Sequence, residues 1–527
     1  MTDSAADRKM DWLAWLHSLD PDCPHTTAAL RQHSVDFPHL SVDRKFDLDE
    51  PRDGVELLKW ESPWTAEELL AQSASHWLSL LIDLDGDAPL DPGLRRMLEQ
   101  VKDAAVQRFD WGIDLADALA SRQNWDSWLW PPLFEAWQAD IAESEFRQVL
   151  SRLESPELHR YHARGLCEVL EKLVAGGGRS FAEGVLVPAN ALASTLWTHV
   201  RGDSETSEGY DWFTLAINRA AGPFAEFWLG SLSVSVRREI VARGRLEEPY
   251  RSVLDGVVQD QTPAGRMARA VLFRGFAFLF NVDETWTREH LVPLLTEPTD
   301  WDEIQAAWDG LMYGSLDVST IDVLLDPFLN AAAKVRDFQD AHTREWFIDY
   351  LAALLIDFVE SPIDEWIPEF LRSAEADERR RFAWAIWRRL GDMSDSEQRE
   401  LWGRWLRRYW ENRIVGVPAP LQDVEIEWML NWLPQFHSLF LEGVEVALRM
   451  PPRSTEAFFL IRRLLESDHC EQHPEAVIDV LDRLIDTGSA RPPFVDWSEL
   501  IERLEKYDLS EVGRASLQTL RTRLDLA

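Results

Sequence analysis

The chain has 527 residues, 46% hydrophobic and 28% charged, which is enough apolar material for a large buried core and marks it as globular, not disordered. Its 92 acidic against 54 basic side chains leave a formal charge of −38, which repels nucleic-acid phosphates and anionic lipid headgroups, so any nucleic-acid role has to be local. Three widely spaced cysteines, Cys23, Cys167 and Cys470, form no CxxC pair, and the longest apolar-rich runs are about half a membrane span, so a reducing, cytoplasmic setting is expected.

From the N-terminus onward the pattern is helical. "MTDSAADRKMDWLAWL" lacks the basic region, apolar run and cleavage site of a secretion signal. Capping boxes are expected at Thr65 with Glu68, Ser394 with Glu397 and Asp496 with Glu499: the first side chain accepts an orphan backbone N–H and the acid three residues on reaches back. "LIDLDGDAPLD" fails as a calcium loop, because Gly86 is fourth from Asp83 instead of sixth and Leu94 holds the twelfth position, where a bidentate glutamate is required.

His159 and His162 in "ELHRYHARGLCEVLE" can share a helix face, but Cys167 is turned away and no HExxH glutamate is present, so no metal is expected there. The triple glycine at 176–178 has neither the lysine of a phosphate loop nor the strand-to-helix setting of a dinucleotide site. With the polar stretch "HVRGDSETSEGYDW" it suggests an N-terminal helical region over 1–205 and a helical-repeat region over 206–527.

In "WFIDYLAALLIDFVE" Phe347, Leu351, Leu354 and Phe358 recur at steps of three and four, with Ile348 and Leu355 widening the stripe. "RIVGVPAPLQD" and "RMPPRSTEA" are proline-bearing turns between helices. Alternating apolar and polar runs are scarce, so the expected fold class is all-α. No fixed period is legible; irregular helical pairs stacked as a HEAT-like solenoid are the expected architecture, because such pairs need neighbours to bury their second face.

"LWGRWLRRYWENRIVGVPAP", residues 401–420, interleaves tryptophans and a tyrosine with four arginines. At about 100° per residue Trp402, Trp405, Leu406, Tyr409 and Trp410 share one arc while Arg404, Arg407 and Arg408 occupy the opposite one. A single-strand groove needs aromatic platforms beside cations on one open surface. Segregation instead predicts a core helix with a basic outer face. Between Glu378 and Arg413 arginines outnumber acids ten to six. The excess reads either as a solvated face answering acidic neighbours, such as Asp377 with Arg381, or as a docking patch for an acidic partner. Arg404, Arg407 and Arg408 are the candidate partner-binding residues.

The 26 tryptophans, among them Trp12, Trp15, Trp228 and Trp387, sit largely on apolar stripes, where a wide ring pins helix to helix; sugar platforms are the functional alternative. "SDHCEQHPE" places His469, Cys470 and His473 together without a second ligand pair. No GxSxG occurs, and among 92 acids no couple stands out by spacing. No catalytic residue, metal or cofactor is expected.

Four phrases, "LAINRAAGPFAEFWL" (215–229), "FLFNVDETWTREHLVPLL" (278–295), "AAWDGLMYG" (306–314) and "YWENRIVGVPAPL" (409–421), together resemble the all-helical region C-terminal to sirtuin-like domains in bacterial antiviral defence proteins. The resemblance implies a sensor or regulatory scaffold whose sirtuin-like partner cleaves NAD on infection, with a phage protein as a possible trigger. Nothing here resembles the glycine-rich NAD loop or the catalytic histidine region of a sirtuin, so the effector is expected on a separate chain or absent. A non-catalytic, protein-binding scaffold is therefore the expected function. The alternatives are an all-helical toroid glycosidase acting through two carboxylates and a nucleic-acid-binding subunit using the basic patch, which ranks below protein binding because of the overall charge.

Overall fold

The computed structural model describes residue 31 and residues 62–83, 92–138, 141–175, 183–202, 210–239, 244–297, 300–451, 458–485 and 497–524. Cys23, Trp12, Trp15, the acidic loop after Asp83, the triple glycine, residues 452–457 and Asp496 of the third capping box lie outside them. So does the expected boundary at 205. Two compact units are distinguished, Met1–Thr65 with Gly86–Gln100, and Ala66–Asp85 with Val101–Ala527. In the first, Arg96 pairs with Glu99 at 3.0 Å on one helix face.

The described residues are all-α, with helices joined by turns and short 3-10 segments and no strand among them. Within the second unit, long helices pack consecutively. Pro156–Ala175 (α1) lies on Ala221–Arg237 (α2), α2 on Pro263–Arg274 (α3), and α3 on Trp301–Tyr313 (α4). The row continues through Ala341–Asp357 (α5) and Ala376–Asp392 (α6); α7 (Arg407–Ile414) follows in sequence, and α6 packs on Asp423–Leu430 (α8).

Several helices are started by a side chain that accepts one of their free N–H groups. Asp283 accepts from Trp286 N, Asp340 from Thr343 N, and Ser394 forms the expected box with Glu397. In α5, Phe347, Ile348, Leu351, Leu354 and Leu355 are buried as the period requires, whereas Phe358 is 44% exposed. The helix ends at Asp357 and Phe358 turns out of the stripe at its cap.

Polar bridges near the N-terminal ends tie α3 to α4, α5 to α6 and α6 to α8. Arg266 donates to Glu303 at 2.6 Å, Arg344 pairs with Glu378 at 3.3 Å, and Arg379 approaches Glu425 to 3.8 Å. Glu378 and Glu425 also cap their own helices by accepting the backbone N–H of Glu375 and Gln422. Each thus fixes a helix start and its neighbour together.

Close approach between α3 and α4 depends on Gly310, where a Cβ would lie 1.9 Å from the Ala270 carbonyl oxygen. Gly256, in the Tyr250–Gln259 helix, faces open space. G310A is expected to lower stability by about 1–3 kcal/mol through forced separation of the two helices. G256A is expected to raise it by roughly 0.5–1 kcal/mol, since alanine only restricts the unfolded chain there. Urea unfolding midpoints of the two variants, moving in opposite directions from the parent, check this.

Candidate functional site

The helix from Asp395 to Ile414 contains a widened π turn at Trp402–Leu406, a local expansion absent from a regular 3.6-residue reading. Trp402, Trp405, Leu406, Tyr409 and Trp410 are all buried, so the aromatic arc belongs to the core. Trp410 meets Trp432 edge to face at 5.2 Å, Trp402 meets Phe436 at 5.4 Å, and the Trp432 indole N–H donates to Ala383 O at 2.9 Å. These rings weld the 395–414 helix to α6 and to the segment after α8. The Tyr409 hydroxyl is buried without a partner among the described residues, and burial pushes its pKa up.

The three candidate arginines are not brought together as one free patch. Arg404 turns back and donates to Ile356 O at the end of α5, which supplies a donor to a terminal carbonyl. Arg407 pairs with Glu411 at 3.2 Å along its own helix, and Glu411 takes Arg449 at 2.8 Å as well; hydrogen bonds from Arg449 first, then Arg407, hold its carboxyl below the usual range. Arg408, 63% exposed, reaches Asp364 at 3.2 Å. The expected i,i+4 partnership of Asp377 with Arg381 is not made. Arg380 takes Asp377, and Arg381 crosses to Asp349 and Glu345 on α5.

Arg413, counted in the sequence with the basic outer face, is instead fully buried beside an equally buried Glu425, at 2.9 Å. It also donates to the carbonyls of Val417, Ala419 and Pro420. This explains the segment that carries the resemblance. A loop containing Pro418 and Pro420 has few N–H groups of its own, so its inward carbonyls need an outside donor, and arginine supplies five. That proline density signals carbonyls in need of a donor, but not which side chain supplies it.

Two other phrases, 278–295 and 306–314, are likewise fold-holding. Asp283 caps the helix of Trp286 and also accepts Leu246 N at 2.8 Å, while the Trp286 indole donates to Asp255 at 2.7 Å. Asp309 of "AAWDGLMYG" is wholly buried and accepts from Trp212 N, Thr343 Oγ1 and Gln305 Nε2, joining the Trp212–Ile217 helix, α4 and α5. Burial pushes its carboxyl up to about 7, against the lowering effect of those three donors and with Asp211 nearby adding to the rise.

The histidine clusters serve packing. His159 and His162 bond through Nε2 to Leu153 O and Trp125 O, with burial lowering both pKa values, and His469 stacks on Phe440 at 4.0 Å. Among the described residues no group of three or more His, Cys, Asp or Glu side chains could hold a metal ion, and no helix is long and apolar enough to cross a membrane.

Two grooves open on the helix row. One, of about 500 Å³, is walled by α4, α5 and α6, with Met312, Trp346, Tyr350 and Ala353 below Arg388 and Arg389. The other, of about 700 Å³, runs along α2 between α1 and α3 and holds Glu171, Glu226, Arg237 and Arg274. They are neighbours. Arg274 of the larger groove lies over the Phe213 ring, which stacks on Tyr313 of the smaller one at 4.5 Å. In the larger groove burial raises the carboxyls of Glu171 and Glu226, and Arg274, paired with Glu226 at 2.7 Å, pulls both back down.

Residues 356–521 match the family profile of a domain of unknown function, DUF4020. No curated protein matches the chain. The DUF4020 stretch contains the aromatic helix, the Arg413–Glu425 pair and the α6 wall of the smaller groove; the α4 wall of that groove lies outside it.

Arg413→Ala is expected to cost about 3–5 kcal/mol, because it strands a buried carboxylate, whereas Arg408→Ala costs less than about 1 kcal/mol. Denaturant titration of both variants tests the contrast. The raised carboxyl of Asp309 contributes stability that is complete below the ordinary value near 4 and is lost as pH rises to about 7. Relative to D309N, the parent is therefore expected to lose stability between pH 4 and 7 and to level off above that, as read from unfolding midpoints across the range.

Proposed function

We propose that this chain is a non-catalytic helical scaffold, the sensor or regulatory component of a bacterial antiviral defence system, working through bound protein partners in the cytoplasm. The observation that carries the reading is the consecutive packing from α1 to α6 and on to α8. Helices α3 to α6 and α8 start roughly 40 residues apart, the spacing of a HEAT-like solenoid. In such an array each helix leans on its neighbours, and a partner laid across several of them is felt as a change in their mutual packing. The four phrases shared with defence proteins point to a sirtuin-like, NAD-cleaving effector as one partner and a phage protein as another.

The burial of Asp283, Trp286, Asp309 and Arg413 supports kinship in framework, since these are the residues that set helix starts and closures. A toroid glycosidase is the second reading, favoured by Glu171 and Glu226 in one groove. Against it, Arg274 engages Glu226 in an ion pair, whereas a general acid needs its proton held by an uncompensated site.

The test is quantitative mass spectrometry of tagged chain purified from its native host before and during phage infection. A stoichiometric protein partner whose recovery changes on infection is the expected result. Recovery of the chain alone in both states, or glycan hydrolysis by the purified chain, contradicts the reading.

A further inference from the structure

The smaller groove carries two arginines, Arg388 and Arg389, on its α6 wall. Arg389 gives Nη2 to Asp357 and its side chain remains 41% exposed. Arg381 occupies both oxygens of Asp349, at 2.8 and 2.7 Å. Arg388 is consequently left 3.9 Å from that carboxylate, beyond hydrogen-bond distance, and 59% exposed. Its guanidinium is nonetheless held in place: Trp384 lies between Arg381 and Arg388, at 4.1 and 4.9 Å from its ring centre. Asp392, the other acid on this rim, is exposed at the end of α6, where solvent screens its charge.

Beneath the rim the floor is apolar and aromatic, formed by Met312, Trp346, Tyr350 and Ala353. Tyr350 has already given its hydroxyl proton to Gly314 O, at 3.1 Å, so its ring face is what remains for an occupant. A ligand that satisfies this groove brings acceptors to two arginines and a bulky apolar group to the floor beside them.

We propose that the groove docks an acidic segment of a partner protein, seating an aromatic or large aliphatic side chain on Trp346 and Tyr350 while an adjacent carboxylate bridges Arg388 and Arg389. The proposal rests on the reading of the chain as a protein-binding scaffold and supplies its surface and the chemistry of its partner. The field of a chain carrying −38 opposes any anion, but nucleic acid brings a continuous run of phosphates against it whereas a short acidic segment brings only a few charges. A peptide carboxylate brings a single charge to a fixed pair of forks, the arrangement in which arginine is most selective.

The experiment titrates the full chain into a fluorescein-labelled short peptide with phenylalanine between two glutamates, read by anisotropy at low salt. Saturable binding is expected, weakened at least about tenfold when the glutamates become glutamines and by a similar factor in Arg388→Glu. Arg388→Gln, a milder change at the same exposed position, is expected to weaken it by an intermediate factor, and Arg407→Glu with Arg408→Glu to leave it within about twofold. Equal binding of the glutamine peptide, unchanged affinity in the Arg388 variants, absence of saturation, or tighter binding of a single-stranded oligonucleotide each overturns the proposal.

A cellular partner that remains bound to Arg388→Glu removes this groove and leaves the scaffold reading standing. Peptide binding that survives without any cellular partner does the reverse.

Discussion

An α-helix closes its own backbone hydrogen bonds, so nothing in the backbone tells one helix where to sit against the next; side chains alone do that. In this chain the task falls to wide aromatic rings in the interior and to arginine–glutamate bridges near the helix starts. Trp308 shows the first device, with Phe328, Phe338 and Phe347 edge to face around it at 4.9, 5.9 and 5.2 Å. Glu425 shows the second: it caps α8, neutralises Arg413 and draws in Arg379 from α6. Tryptophan is thus used here chiefly as a wide contact between helices, as at Trp308, Trp410 and Trp432.

Burying an ion pair such as Arg413–Glu425 gains little net stability over an apolar substitute, but losing one partner is costly. Its value lies in position. By spending its donors on three loop carbonyls, Arg413 holds the 415–420 turn in one conformation and thereby fixes how α7 hands over to α8. Asp309 plays a comparable part where the Trp212–Ile217 helix meets α4 and α5. Both residues act on the framework: each ties its own helix to segments outside it.

The helical class and the fate of the 401–410 aromatics were legible because both follow from periodicity, which local sequence carries in full. Ser394 with Glu397 was legible for the same reason. Arg413 was not, because a buried arginine and a surface one look identical until the loop that needs its donors is placed beside it. Phe358 continued a perfect stripe, yet the helix stopped one residue earlier. The smaller groove could not have been read at all: Met312, Trp346 and Arg388 come from three helices and meet only through packing. The arginine excess of 378–413 was visible, but which members lacked acids depended on Asp349, Asp357 and Asp364, supplied from outside that run.

If adhesion between consecutive helices is the organising constraint, a defect should be felt by neighbours and fade along the row. Hydrogen exchange of the full chain carrying Trp432→Ala, followed segment by segment, examines this most directly. Faster exchange confined to about residues 376–447, with α1 and α2 unchanged, is the predicted result. Uniform acceleration from α1 through α8 would contradict it, showing one indivisible core in place of a sequence of nearest-neighbour contacts.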